Sequence, residues 1–140
     1  MEIKLSPIEV IKRRPYMYIR NGIFLPQDVL GDFVTQAHCL GATRVITQSN
    51  GKEWGVISNY NWLINNARFG QIDHPFQNII AEPKLGQNSN YTEIVLTAFA
   101  SEVVVLFFGE VVYEGKNSGF NLVKENGEFL SKYPLSIFFK

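Results

Sequence analysis

The apolar pattern at the start of the chain predicts a short helix. Residues Ser6–Glu9 read Ser-Pro-Ile-Glu, the form of a capping box with proline at the first helical position. Pro15 disfavours helical geometry at the residue before it, so this helix is expected to end by about Arg13 or Arg14. We expect Tyr16–Ile19 to be extended or irregular.

A second, longer helix is predicted from Pro26 to about Leu40. Proline suits its first turn, and Gly41 suits the position just past its end. One face of this helix is apolar because five residues recur at helical spacing: Val29, Leu30, Phe33, Val34 and Ala37. That face is expected to pack on a core.

The next segment has the alternation and the turn of a β-hairpin. Arg44–Ser49 and Glu53–Ser58 are rich in β-formers and flank Asn50-Gly51, the pair that type I′ turns prefer. From Asn59 to Asn90 the pattern changes to Asn, Gln, Gly and Pro, which predicts loops with one short helical turn near Phe76–Ala81.

The last third predicts a helix at Tyr91–Ser101 and then a run of short strands in an antiparallel meander. The predicted strands are Val103–Phe108, Val111–Glu114, Phe120–Lys124 and Leu135–Phe139. Helices that precede and interrupt an antiparallel sheet indicate an α+β, two-layer sandwich with the helices on one face. Without repeats or linkers, residues 1–140 are expected to form a single domain.

The composition of the chain argues against several classes of function. Thirteen basic residues balance thirteen acidic ones, which argues against nucleic acid as a partner. No apolar run approaches the ~18–20 residues of a membrane-spanning helix. A single cysteine, Cys39, and the absence of a signal-peptide pattern favour a cytoplasmic protein. His38, His74 and Cys39 lack a metal-binding spacing, so no metal is expected.

The segment Ile8–Ile19 resembles the opening signature of the ATPase domains of DNA gyrase B and topoisomerase IV, approximately LEAVRKRPGMYIG. The order of the later elements also follows that family. The resemblance implies a Bergerat-type sandwich. In the family, a Glu on the second helix activates water and an Asn four residues later holds magnesium on the triphosphate.

The positions that match these two family residues carry Asp28 and Asp32. Their i, i+4 spacing persists while both residue types differ. A carboxylate is able to activate water, but Asp is one methylene shorter than Glu. The alternative, which we favour, is that they are solvated acids near a helix N-terminus.

The family's adenine motif, DDGRGIP, aligns with Ser58–Ile64. Its acidic residue corresponds to Ser58 or Asn59, followed by Asn61 within the same vestigial pocket. Its glycines correspond to Tyr60 and Trp62, whose side chains would fill the space where adenine lies. The glycine-rich lid retains only Gly86, so no cofactor is expected.

These differences favour a non-catalytic binding or regulatory module with a protein partner or a second copy of itself. Aromatic residues in loop-like segments are typical of interfaces, so we expect a partner surface at Tyr16, Tyr18, Tyr60 and Trp62. Two alternatives stay open. The opening segment is also similar to that of small bacterial toxin-immunity proteins, and a residual ATP-binding protein is the other candidate.

Overall fold

The computed structural model describes residues 6–19, 22–63, 76 and 92–140. The helices are α1 (Pro7–Arg13), α2 (Pro15–Tyr18), α3 (Pro26–Leu40), α4 (Thr92–Phe99), α5 (Asn121–Glu125) and α6 (Gly127–Leu130). The strands are β1 (Val45–Ser49), β2 (Trp54–Ser58), β3 (Val103–Phe107), β4 (Glu110–Glu114) and β5 (Leu135–Phe139). Within these residues, no helix has the length and apolar character needed to span a membrane.

The five strands form one open sheet in the order β1-β2-β5-β3-β4, with every neighbouring pair antiparallel. The hairpin around Asn50-Gly51 is confirmed as β1 and β2. The α+β class with a mainly antiparallel sheet is confirmed as well. The predicted meander is wrong, because β5 returns to the centre of the sheet and joins the two hairpins.

The long helices pack on one face of this sheet. Phe33 of α3 and Leu96 of α4 are fully buried against side chains of the three central strands, among them Val56, Val105 and Ile137. Helix α1 packs on α4 through Ile11, Ile94 and Ala98. The sheet and these helices together form the two-layer sandwich, but the prediction that the helices lie on one face holds only for the long helices, because two short helices pack on the other face.

The opposite face of the central strands carries a smaller cover made by residues 120–133. Phe120, Leu122 and Leu130 bury Ile57 and Phe138 of the sheet. The sequence predicted a strand at Phe120–Lys124, and this is wrong because residues 121–125 form α5. A contact distant in sequence explains the difference, since the carboxylate of Glu53 accepts hydrogen bonds from the backbone N–H groups that start this helix.

Tyr16–Ile19 also differs from the prediction, because Pro15–Tyr18 forms the single helical turn α2. The N–H of Ile19 donates to the carbonyl of Pro15 at 2.8 Å. Proline supplies the φ that a first helical position needs, and Arg14, whose φ of −132° and ψ of 58° are not helical, separates the new turn from α1. The predicted turn near Phe76–Ala81 lies outside the described residues except for Phe76, which stacks on a tyrosine of β4.

The absence of a side chain at Gly55 of β2 permits the central packing. A Cβ at this position would overlap the ring of Phe138, which lies across it from β5. We expect Gly55→Ala to lower the free energy of unfolding by roughly 1–3 kcal/mol, since a packed core resists added volume. Urea denaturation followed by circular dichroism measures this change.

Gly31→Ala is the matched control for that variant. Gly31 lies in the exposed interior of α3 with open space around its Cα, so alanine should raise stability by about 0.5–1 kcal/mol. Equal effects of the two variants would contradict the packing described at Gly55.

The buried carboxylate of Glu53 ties the β1–β2 turn to the start of α5 and to the end of the chain. It accepts from the N–H groups of Asn121 and Leu122, both at 3.0 Å, and lies 3.8 Å from Nζ of Lys140. Burial raises the pKa of Glu53, but these two N–H groups and Lys140 outweigh burial and hold the pKa below its usual 4.5.

The lowered pKa of Glu53 predicts loss of stability in acid. A carboxyl group whose pKa is lower in the folded state stabilises the fold above the unfolded pKa, and that contribution disappears as the pH falls through the folded pKa. We expect Glu53→Gln to cost roughly 1–3 kcal/mol at neutral pH, with a smaller deficit below pH 4.5. A deficit that stays constant from pH 7 to acid would contradict this account; urea denaturation at a series of pH values gives the answer.

Candidate binding surface

The residues aligned with the adenine motif bond to their own chain. The buried hydroxyl of Ser58 donates to the carbonyl of Tyr60 at 2.9 Å and accepts from the N–H of the same residue at 3.1 Å. The side-chain amide of Asn61 donates to the carbonyl of Pro134 at 3.3 Å, across the start of β5. These groups therefore stabilise the turn that leaves β2.

Asn59 closes the corner between α3 and β1. Its Oδ1 accepts from the N–H groups of Thr43 and Arg44 at 3.2 and 3.0 Å, and its Nδ2 donates to the hydroxyl of Thr43 at 2.8 Å. The backbone N–H of Asn59 donates to the carbonyl of Arg44. Both the oxygen and the nitrogen of the Asn59 side-chain amide therefore stabilise this corner.

Trp62 lies in the core between α3 and α4. Its ring packs 6.2 Å from that of Phe33, centroid to centroid, and its indole N–H donates to Oε1 of Glu93 at 3.1 Å. The amide of Gln36 donates to the same oxygen at 2.5 Å. Trp62 is 1% exposed, so its predicted place in a partner surface is wrong. The free energy gained by burying the indole ring places Trp62 in the core, although the sequence around it is typical of a loop.

Tyr60 and Tyr18 are each only partly exposed. Tyr60 packs against the main core, with its ring over Gly41 at the end of α3. Tyr18 packs beside Ile11, in the contact between α1 and α4. Of the four aromatic residues predicted to meet a partner, Tyr16 is therefore the most exposed.

Asp28 and Asp32 lie in the wall of a surface cavity of about 270 Å³ between α2 and the start of α3. Both side chains are partly exposed. The other walls are mainly apolar and aromatic, formed by Tyr16, Met17, Tyr18, Ile19, Ile23, Phe24, Leu25, Val29 and Val95. Ser58, Asn59 and Asn61 are absent from this lining, so the five vestigial pocket positions do not form one site.

An exposed apolar surface borders the cavity, and we call it the α2 surface. It consists of Tyr16, Met17, Ile23 and Leu25, whose exposed fractions are 73, 61, 60 and 48%. Of these four residues, only Tyr16 was predicted from the sequence to lie in a partner surface. The missed signal is the apolar run Ile23–Leu25, which lies just before the predicted start of the helix at Pro26.

Among the described residues, no group of three or more His, Cys, Asp or Glu side chains could hold a metal ion. Cys39 is exposed as a free thiol. The site that the structure does assemble is therefore a small cavity lined mostly by apolar and aromatic residues together with two carboxylates, and the surface exposed in it is more polar than apolar.

Comparison of the chain with protein-family models, with curated proteins and with solved structures found no match. The relation to gyrase-type ATPase domains and the similarity to immunity proteins therefore stay predictions from the sequence.

The contrast between Trp62 and Tyr16 gives a direct test of this geometry. We expect Trp62→Ala to cost roughly 3–5 kcal/mol, because it empties part of the core and removes a donor to Glu93. Tyr16→Ala, at an exposed position, should change stability by less than about 0.5 kcal/mol. Chemical denaturation of both variants measures the difference; similar costs would contradict the assignment of Trp62 to the core.

Proposed function

We propose that this protein is a non-catalytic binding module, built on a degenerate gyrase-type ATPase fold, that binds another protein through the α2 surface. Exposed apolar side chains that adjoin a cavity are typical of interaction sites in otherwise polar surfaces. Tyr16 and Met17 on the single turn of α2 are the most exposed of these side chains. Their low burial leaves them available to a partner at little cost to the fold.

The burial of Trp62 is the observation that carries the non-catalytic part of the proposal. In the alignment with the adenine motif, Trp62 stands where a glycine lets the base approach the backbone, and here its ring fills core space beside α3. Ser58 and Asn59, aligned with the residue that accepts from adenine, bond to neighbouring backbone groups instead. Adenine recognition would require these interactions to break.

A residual nucleotide-binding function is the second candidate, and the cavity is the observation that favours it. Asp28 and Asp32 correspond to the catalytic and magnesium-binding positions of the resemblance and share one cavity wall. Two carboxylates repel a triphosphate unless a metal ion lies between them. The absence of Ser58 and Asn59 from the cavity makes this candidate the weaker one.

Titration of the protein with Mg-ATP, followed by isothermal calorimetry, separates the two candidates. We expect no saturable binding with a dissociation constant below about 1 mM. Tighter binding that weakens in Asp28→Asn would contradict the proposal and support residual nucleotide binding. Glu110→Gln, at an exposed carboxylate on β4, is the matched control for the loss of one negative charge.

A further inference from the structure

We propose that the cavity beside α2 binds an arginine side chain presented by a segment of the protein partner. This inference rests on the proposed function, because it identifies the chemistry by which the same surface recognises its partner.

The size of the cavity suits one long side chain. At about 270 Å³ it lies below the roughly 300–1,000 Å³ typical of small-molecule pockets. A partner residue that enters it would leave the neighbouring residues of its own segment over the α2 surface. Exposed apolar side chains such as Met17 and Ile23 are available to contact those neighbours.

The lining combines apolar and aromatic side chains with two carboxylates and a mostly polar exposed surface, which suits a long side chain with a cationic head. Met17, Leu25 and Val29 can cover the methylene stem, and the carboxylate of Asp28 can accept from the charged head. The guanidinium group of arginine binds a carboxylate with two parallel hydrogen bonds and stacks on aromatic rings. Tyr16 supplies such a ring at the edge of the cavity, so arginine fits better than lysine.

The balance of charge also favours a cation. The N-terminus of α3 contributes the equivalent of about half a positive charge. Two carboxylates, those of Asp28 and Asp32, lie in the same wall as this helix terminus. Asp32 already has an interaction within the chain, so recognition depends mainly on Asp28.

The test is an NMR titration of the ¹⁵N-labelled full chain with N-acetyl-arginine amide. The neutral isostere N-acetyl-citrulline amide is the matched ligand control. We expect saturable shifts confined to backbone amides of residues 16–19, 23–25 and 28–32, with a dissociation constant on the order of 1–10 mM for a single side chain. The citrulline compound should bind at least about tenfold more weakly, since it lacks the charge.

Two variants test the role of the carboxylate. Asp28→Asn keeps the shape of the cavity wall and should weaken binding of the arginine compound about tenfold, whereas Glu110→Gln should leave it unchanged. Preserved dispersion of the amide spectrum shows that each variant is folded.

Several results would overturn the inference: equal binding of the citrulline compound, no effect of Asp28→Asn, or shifts scattered over surface carboxylates away from α2. The inference would also be overturned if the protein self-associates and Arg14→Gln dissociates it, because the side chain in the cavity would then come from a second copy of the chain. None of these results bears on nucleotide binding. The Mg-ATP titration tests whether nucleotide binding is lost, as the proposed function requires, so its failure and failure of the arginine titration are separate outcomes.

Discussion

The placement of β5 at the centre of the sheet is the constraint on which the other elements depend. Leu135–Phe139 pairs with β2 on one side and with β3 on the other, so it joins two hairpins that would otherwise be separate. All five of its residues are buried, and its side chains alternate between the two faces of the sheet. Both faces therefore need a cover.

Different helices pack on the two faces of the sheet. On one face, α3 and α4 supply a broad apolar layer, and on the other the short helices α5 and α6 shield Phe138 and its neighbours. The end of β5 also brings Lys140 to the carboxylates of Glu53 and Glu102. The Lys140 ammonium group lies between two acidic groups from separate turns, so packing and charge fix the same strand.

The space between the long helices and the sheet is then filled by Trp62, Gln36 and Glu93. A buried polar group is costly without a partner, and here the shared oxygen of Glu93 accepts from both of the other side chains. These side chains in the interior of the sandwich therefore stabilise the fold. Among the described residues, the cavity that contains two carboxylates lies outside this interior, between α2 and the start of α3, and the proposed function therefore concerns surface recognition.

The sequence predicted the elements whose signals are local. Ser6 caps α1 through the N–H of Glu9, Gly41 ends α3 with a positive φ, and Asn50-Gly51 turns the first hairpin. The predictions were wrong where contacts between residues distant in sequence determine the structure. The position of β5 depends on pairing across the whole chain, and the helical start at Asn121 depends on a carboxylate 68 residues earlier.

The candidate site was predictable only in part, for a similar reason. Asp28 and Asp32 were identified because they align with functional positions in the resemblance to gyrase-type ATPase domains, and Tyr16 from its loop-like context. The helical turn at α2, which completes the cavity, follows from the ability of Pro15 to begin a helix rather than from any apolar period. The burial of Trp62 depends on Glu93, whose role as an acceptor has no signature in the sequence.

The most direct test of the central claim is the solvent accessibility of Trp62. The chain has two tryptophans, so Trp54→Phe leaves Trp62 as the sole indole while preserving an aromatic ring beside Phe139. The account predicts blue-shifted fluorescence from this variant and strong protection from acrylamide quenching. Emission and quenching like those of the unfolded chain would contradict it, since the space assigned to the indole ring would then be open.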